Sequence, residues 1–239
     1  IRQVLGLSIN WFETTDPPFN YLRDRMSEAG IIVMMNGIVR NNTHRPLNTE
    51  EFRAFTIIDR YAPLIFINAT DSKSGRLFSL LHEFVHICFG VDNLYNDTHN
   101  TYKGVSKLET LCNAVATEIL VPASQFNLTW KVLSSQSSSI QETISKVAHF
   151  FKCGHVIVAR RALDAGNISH AMYEEIVREA IQLYKESKQT KKPGGGDYYN
   201  TKGSRIDKRF FMFVLDSVSR GKTLYSEAFR LTDTNRQTF

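Results

Sequence analysis

His82-Glu83-Phe84-Val85-His86 sets two imidazoles four residues apart, with a carboxylate beside the first. On a helix, positions i and i+4 lie about 40° apart on one face, one turn along, so both rings can reach one ion. Glu83 lies about 100° round from His82 and borders the ion without having to ligate it. A carboxylate so placed can act as general base towards a water that zinc has brought from a pKa of 15.7 to about 7. Only three positions are fixed in this pattern, so chance matches are common, and a plain helix carrying two histidines is the competing reading.

A catalytic zinc needs a third protein ligand and an open position. Glu109 lies 23 residues beyond His86 and opens the run Glu109-Thr110-Leu111-Cys112-Asn113 on the next expected helix. By position alone it reads equally well as a ligand or as an exposed helix glutamate. Asn113, at i+4 from Glu109, shares its face and could hydrogen-bond a ligand histidine from behind. Cys112, at i+3, is a substitute ligand or, more simply, a small packing residue. Cys88 falls about 200° from His86, which predicts a buried thiol facing the core. His99, Tyr102 and Arg76 are candidate donors to an oxyanion by location, without a spacing argument. His44, His149, His155 and His170 have no assignment.

The elements that must hold these groups can be read around them. Residues 1–29 read as helical, broken at Asp16-Pro17-Pro18, and the stretch 20–29 stops at Gly30, a natural C-terminal cap. Strand-like runs follow at 31–35, 52–58 and 63–68, and the last two read as an antiparallel hairpin. A helix opens near Ser74, carries LFSLLHEFVHICF and stops at Gly90. Its apolar Phe84, Val85, Ile87 and Phe89 would lock it into a core. After a polar loop over 92–100, a second helix runs from about Val105 to Ile119. Ser134–Ser139 (SSQSSS) reads as a linker or turn. Ile140–Leu163 reads as two short helices broken at Cys153-Gly154, a spacing compatible with a helix-turn-helix. A further helix covers about Ser169–Glu186, Lys191–Gly196 reads as a hinge, and Arg205–Leu231 reads as helical. The expected units are 1–29, an N-terminal helical remnant or linker; 30–133, the metal-bearing core; 134–190, a helix-turn-helix-like module; and 191–239, a hinge and helical tail. The fold class is α+β, with a small twisted antiparallel sheet packed on the helix that carries His82 and His86.

The chain has 239 residues, 42% of them hydrophobic and 22% charged, which is ordinary globular composition. A chain this long buries a core without a metal staple, so a zinc ion here points to chemistry rather than folding. Three cysteines without close spacing argue against a disulfide framework and fit a reducing cytoplasm. Nowhere do about 18 apolar residues run together, so no membrane span is expected. The formal charge of +5 permits an acidic partner or nucleic acid without demanding one. Lys146, Lys152, Arg160 and Arg161 would suit a DNA-binding use of the 140–163 module; because they are few, protein docking is the preferred use.

HEFVHICFG followed by ETLCNAVATEILVP resembles the ImmA/IrrE family of metallopeptidases, with Glu109, Cys112, Asn113, Ala116, Leu120 and Pro122 on the family pattern. Gly30–Val33, the PLIFIN strand, Arg76 and Phe78 fit as well, and Val115 departs where an aromatic is common. The resemblance covers about residues 20–165. The opening residues also look like the end of a repressor-type helix-turn-helix, and the tail like the endings of phage- and mobile-element-borne members. The resemblance implies a gluzincin-like, zincin-type core with one zinc per chain, held by His82, His86 and Glu109 as third ligand, and Glu83 as general base. It further implies a cytoplasmic endopeptidase whose protein substrate is a helix-turn-helix transcriptional repressor. The competing readings are a non-enzymatic DNA- or protein-binding regulator with a vestigial site, and a scaffold in which four protein ligands close the zinc. Oligomeric state is not legible.

Overall fold

The computed structural model describes residues 1–13, 17–39, 42–90, 94–95, 107–190 and 203–239, with the backbone alone for 94–95 and 188–190. The expected polar loop, the start of the second helix near Val105, and the Lys191–Gly196 hinge lie outside these residues.

Helix α1 (Pro18–Glu28) begins with proline in its first turn and ends at Gly30, whose φ of 89° suits glycine alone among common residues. The chain then enters β1 (Ile32–Asn36), a short antiparallel pair β2 (Ile38–Val39) and β3 (Asn42–Pro46), β4 (Ala54–Ile57) and β5 (Leu64–Asn68). With β6 (Leu94–Tyr95) the main sheet has the order β1-β5-β4-β6. β4 and β5 form the expected antiparallel hairpin, Phe55 opposite Phe66 and Thr56 opposite Ile65. β1 runs parallel to β5, Val33 beside Ile65, so the sheet is mixed and not the antiparallel one expected. The reason is topological. A six-residue loop can only return the chain antiparallel, but the long connection from β1 to β5 leaves either direction open, and apolar patterning carries no direction.

Helix α2 (Lys73–Phe89) packs on β4 and β5. The Ser72 hydroxyl caps it by accepting from the Gly75 N–H at 2.9 Å, and Gly90 ends it with φ 70°. Leu77, Leu80, Leu81, Phe84 and Val85 are buried. At roughly 1.5–3 kcal/mol each, they seat the helix on the sheet. Phe89, expected in the core, is exposed, because the last turn runs past the sheet.

Helices α3 (Lys107–Leu120) and α4 (Ala123–Ser135) follow; sequence patterning assigned nothing to α4. Then come α5 (Ile140–Phe150), α6 (His155–Asp164) and α7 (His170–Thr190), each packed on the one before. α5 and α6 break at Cys153-Gly154 as expected. A Cβ on Gly154 would stand 2.7 Å from Ser74 Cβ, so this turn is pressed onto the first turn of α2. Most of α6 is covered: Ile157, Val158, Ala159 and Ala162 are buried, Arg161 donates to Glu118 at 2.6 Å, and Arg160 pairs with Asp164.

The first 13 residues form two short 3-10 turns that belong to the same core. Leu5, Leu7, Trp11 and Phe12 are buried, Trp11 Nε1 donates to Ile119 O at 2.9 Å, and the Phe12 ring lies 4.8 Å from that of Phe151.

At the other end, residues 204–209 run along α1 and the outer edge of β1. Met35 N donates to Arg205 O at 2.8 Å, and Arg23 Nη1 donates to Ser204 O at 2.7 Å. Asp207, buried, accepts from Ser27 Oγ at 3.0 Å. It also caps α8 (Lys208–Ser219), which α9 (Tyr225–Thr232) joins as a hairpin.

Candidate metal centre

α2 and α3 pack against each other, and their contact face carries the polar cluster. His82, Glu83 and His86 show no solvent exposure, and the side chain of Glu109, in the first turn of α3, is 21% exposed. His82 Nε2 and His86 Nε2 lie 3.0 Å apart. Glu109 Oε2 stands 3.2 Å from His82 Nε2, and Oε1 stands 3.3 Å from His86 Nε2. Donors at about 2.0–2.1 Å from one tetrahedral ion are separated by about 3.3 Å. These side chains therefore fit a single divalent ion, and they are the one such group among the described residues. Two imidazoles and a carboxylate are also the donor set of an open catalytic site, while a closed structural site needs a fourth protein ligand.

Burial dominates the electrostatics of the cluster. Burial pushes the His86 imidazole below its ordinary value, and neighbouring His82 adds to this, so the ring is neutral and able to ligate. Burial raises the Glu83 carboxyl to about 8, against the Thr56 hydrogen bond and with the Glu109 charge adding to the rise. Thr56 Oγ1 donates to Glu83 Oε2 at 2.5 Å and lies 3.3 Å from the Glu83 carbonyl oxygen. The other oxygen, Oε1, is buried with no hydrogen-bond partner among the described residues. One carboxylate oxygen is thus fixed and the other is left for a reactant.

Thr56 escaped sequence reading. The signal was present: β4 alternates Ala54 and Thr56 inward with Phe55 and Ile57 outward, so a hydroxyl stands at a core-facing position. Behind His86, Cys112 Sγ lies 3.8 Å from Nδ1. Asn113 Oδ1 is buried without a hydrogen-bond partner among the described residues.

Arg76 is not at the centre. Its Nη1 approaches Met35 Sδ at 3.6 Å and its guanidinium lies over the Phe19 ring, two turns before Glu83. Cys88 is exposed rather than buried; because the His86 face of α2 is covered, the opposite face meets solvent. His44, His149, His155 and His170 are exposed and away from the cluster. His99 and Tyr102 lie outside the described residues.

Residues 28–163 match the family model of the IrrE N-terminal-like domain, a peptidase family. Residues 206–239 match a separate domain of unknown function, DUF8813. The radiation response metalloprotease IrrE of Deinococcus radiodurans is 40% identical over 63 residues, which are 25% of this chain and 19% of that protein. No solved structure matches. With more than half its length on the family model, the chain belongs to the ImmA/IrrE metallopeptidase family.

Proposed function

We propose that this member of the ImmA/IrrE family is a zinc-dependent endopeptidase with His82, His86 and Glu109 as metal ligands and Glu83 as general base. The observation that carries the reading is the convergence of three side chains, with donor atoms 3.0–3.3 Å apart, on a buried helix face, with the Glu83 carboxylate beside them. Zinc is preferred from the ligand types, two imidazoles and one carboxylate. When bound, the ion supplies Lewis acidity towards a peptide carbonyl and towards water. The chain supplies the rest. Its buried walls keep bulk water out, Thr56 holds Glu83 Oε2, and Glu83 Oε1 takes the proton of the attacking water and passes it to the leaving amine.

The substrate is a protein, and we propose a helix-turn-helix transcriptional repressor, on the strength of the sequence resemblance. β4 is the strand nearest Glu83, through Thr56; β6 pairs along its outer edge at Ala54 and Phe55, and an extended peptide could add beyond that pairing, at Thr56 and Ile57. The edge of β1 is already taken by Arg205 and Asp207 of this chain. The α5–α6 pair supports docking over DNA reading: a recognition helix must lay side chains in the major groove, and most of α6 is packed, with both its arginines ion-paired. No described helix is long and apolar enough to cross a membrane, and the proposed site of action is the cytoplasm.

The test is Glu83→Gln, assayed for bound zinc and for cleavage of the candidate repressor. The reading expects zinc retained and cleavage reduced by three orders of magnitude or more, well beyond the ~10²–10⁴ range's lower end for lost general-base catalysis. Cleavage at the wild-type rate would remove Glu83 from the mechanism.

A further inference from the structure

Residues 206–239 match a family model apart from the peptidase domain, so they form a recurrent unit. Yet a segment under about 40 residues usually needs a disulfide, a metal or association to hold its fold. The three cysteines all lie elsewhere, and the described residues hold no metal-ligand group here. The hairpin hides little of its apolar surface: α8 buries Val214, and α9 buries Ala228 and Thr232. Met212 is 62% exposed, Phe213 65%, Leu224 73%, Tyr225 64% and Leu231 46%. Together these side chains leave roughly 600 Å² open, against about 800 Å² that each partner contributes to a standard interface.

We propose that this face pairs two copies of the chain, α8 against α8 across a two-fold axis, so that the two hairpins close as a four-helix bundle. Charge favours this occupant. Lys208, Met212, Phe213 and Asp216 are all exposed on α8; Lys208, Met212 and Asp216 follow one another four residues apart along one stripe, and Phe213 lies about 100° round from Met212. With α8 antiparallel to its copy and the axis between Met212 and Phe213, Lys208 of one chain stands within a residue of Asp216 of the other. The operation repeats this pair on the opposite side of the axis. Lys208 has no ion-pair partner among the described residues. Asp216 has a single surface pair with Arg220 at 2.9 Å, which is weak enough to be shared. Residues 204–209, bound to α1 and β1, hold the hairpin at a fixed place on the core, so the surface is presented rather than trailing.

The test is sedimentation and light scattering of the full, zinc-loaded chain from about 1 to about 100 µM, a range over which a modest dimer shows itself. The wild type should rise from the 27.3 kDa of one chain towards twice that mass. Met212→Glu with Phe213→Glu should stay monomeric with unchanged circular dichroism and zinc content. Lys208→Asp or Asp216→Lys alone should weaken the dimer about tenfold, since each breaks two symmetric pairs, and the two together should restore it to within about threefold. A wild type that remains monomeric at the top concentration overturns the proposal, as does a dimer indifferent to the double glutamate variant. Equally contrary would be monomers that bind vesicles of three parts phosphatidylcholine to one part phosphatidylglycerol through the same residues, because the face would then belong to a lipid surface.

Discussion

Asp207→Ala should free the C-terminal hairpin and leave the metal centre intact. The Asp207 carboxylate accepts from the backbone N–H groups of Arg209 and Phe210, both at 3.0 Å, and from Ser27 Oγ at 3.0 Å. It also lies near the Arg23 guanidinium, whose pKa burial lowers and the Asp207 charge supports. Losing an N-cap costs about 1 kcal/mol, and losing a charged hydrogen bond about 1.5–3 kcal/mol. Together that is about 3 kcal/mol, or roughly a hundredfold in a local opening equilibrium. Because the hairpin meets the rest of the chain mainly through residues 204–209, the loss should stay local. Native-state hydrogen exchange is the assay: amides of 208–232 should exchange about a hundredfold faster, while those of α2 and α3 keep their protection. Asp207→Asn keeps the cap and loses the charge, so it should fall between. Unchanged exchange in α8 would show that the carboxylate does not hold the hairpin. An equal rise in α2 and α3 would show that the hairpin unfolds together with the core.

Other consequences can be measured on the same protein. Gly154→Ala should destabilise the fold by about 1–3 kcal/mol through its clash with Ser74, and Ser74→Gly should recover most of that in a double-mutant cycle by denaturant unfolding. Trp11→Phe should cost about 1 kcal/mol in the same assay, by removing the bond to Ile119 O. Glu142, held down at about 2 by the Ser138 hydroxyl and N–H and by Lys146, gives a pH signature. Its folded value lies below its ordinary one, so its support of the α5 cap is complete above about 4.5 and is lost as pH falls towards 2. Helix content of Glu142→Gln should accordingly lack the part of the acid transition that the wild type shows there. Native alkylation at neutral pH should modify exposed Cys88 first, since burial raises Cys112 to about 11 and Cys153 to about 12.

The sequence made α2 legible because two signals coincide there: an apolar stripe and a glycine stop, both framing His82, Glu83 and His86. Glu109 was different. Position left it open between ligand and surface residue, and only the approach of α3 to α2 brings its two oxygens to 3.2 and 3.3 Å from the imidazoles. Thr56 was out of reach for a related reason: its bond to Glu83 spans 27 residues and depends on which face of β4 meets α2. The direction of β1 was not written in its residues, since a long connection fixes no orientation. Cys88 went astray because helical angles say which residues oppose each other and not which side is covered.

In the proposed mechanism His82, His86 and Glu109 hold one catalytic metal ion. The most direct measurement is elemental analysis of the wild type and of Glu109→Ala, both purified without chelators, followed by zinc titration of each. The account predicts about one zinc per wild-type chain and an affinity at least tenfold weaker in the variant, in keeping with the loss of one of three ligands. A wild type that is metal-free and takes up no zinc on titration would contradict the account outright, and equal retention by Glu109→Ala would remove Glu109 from the ligand set.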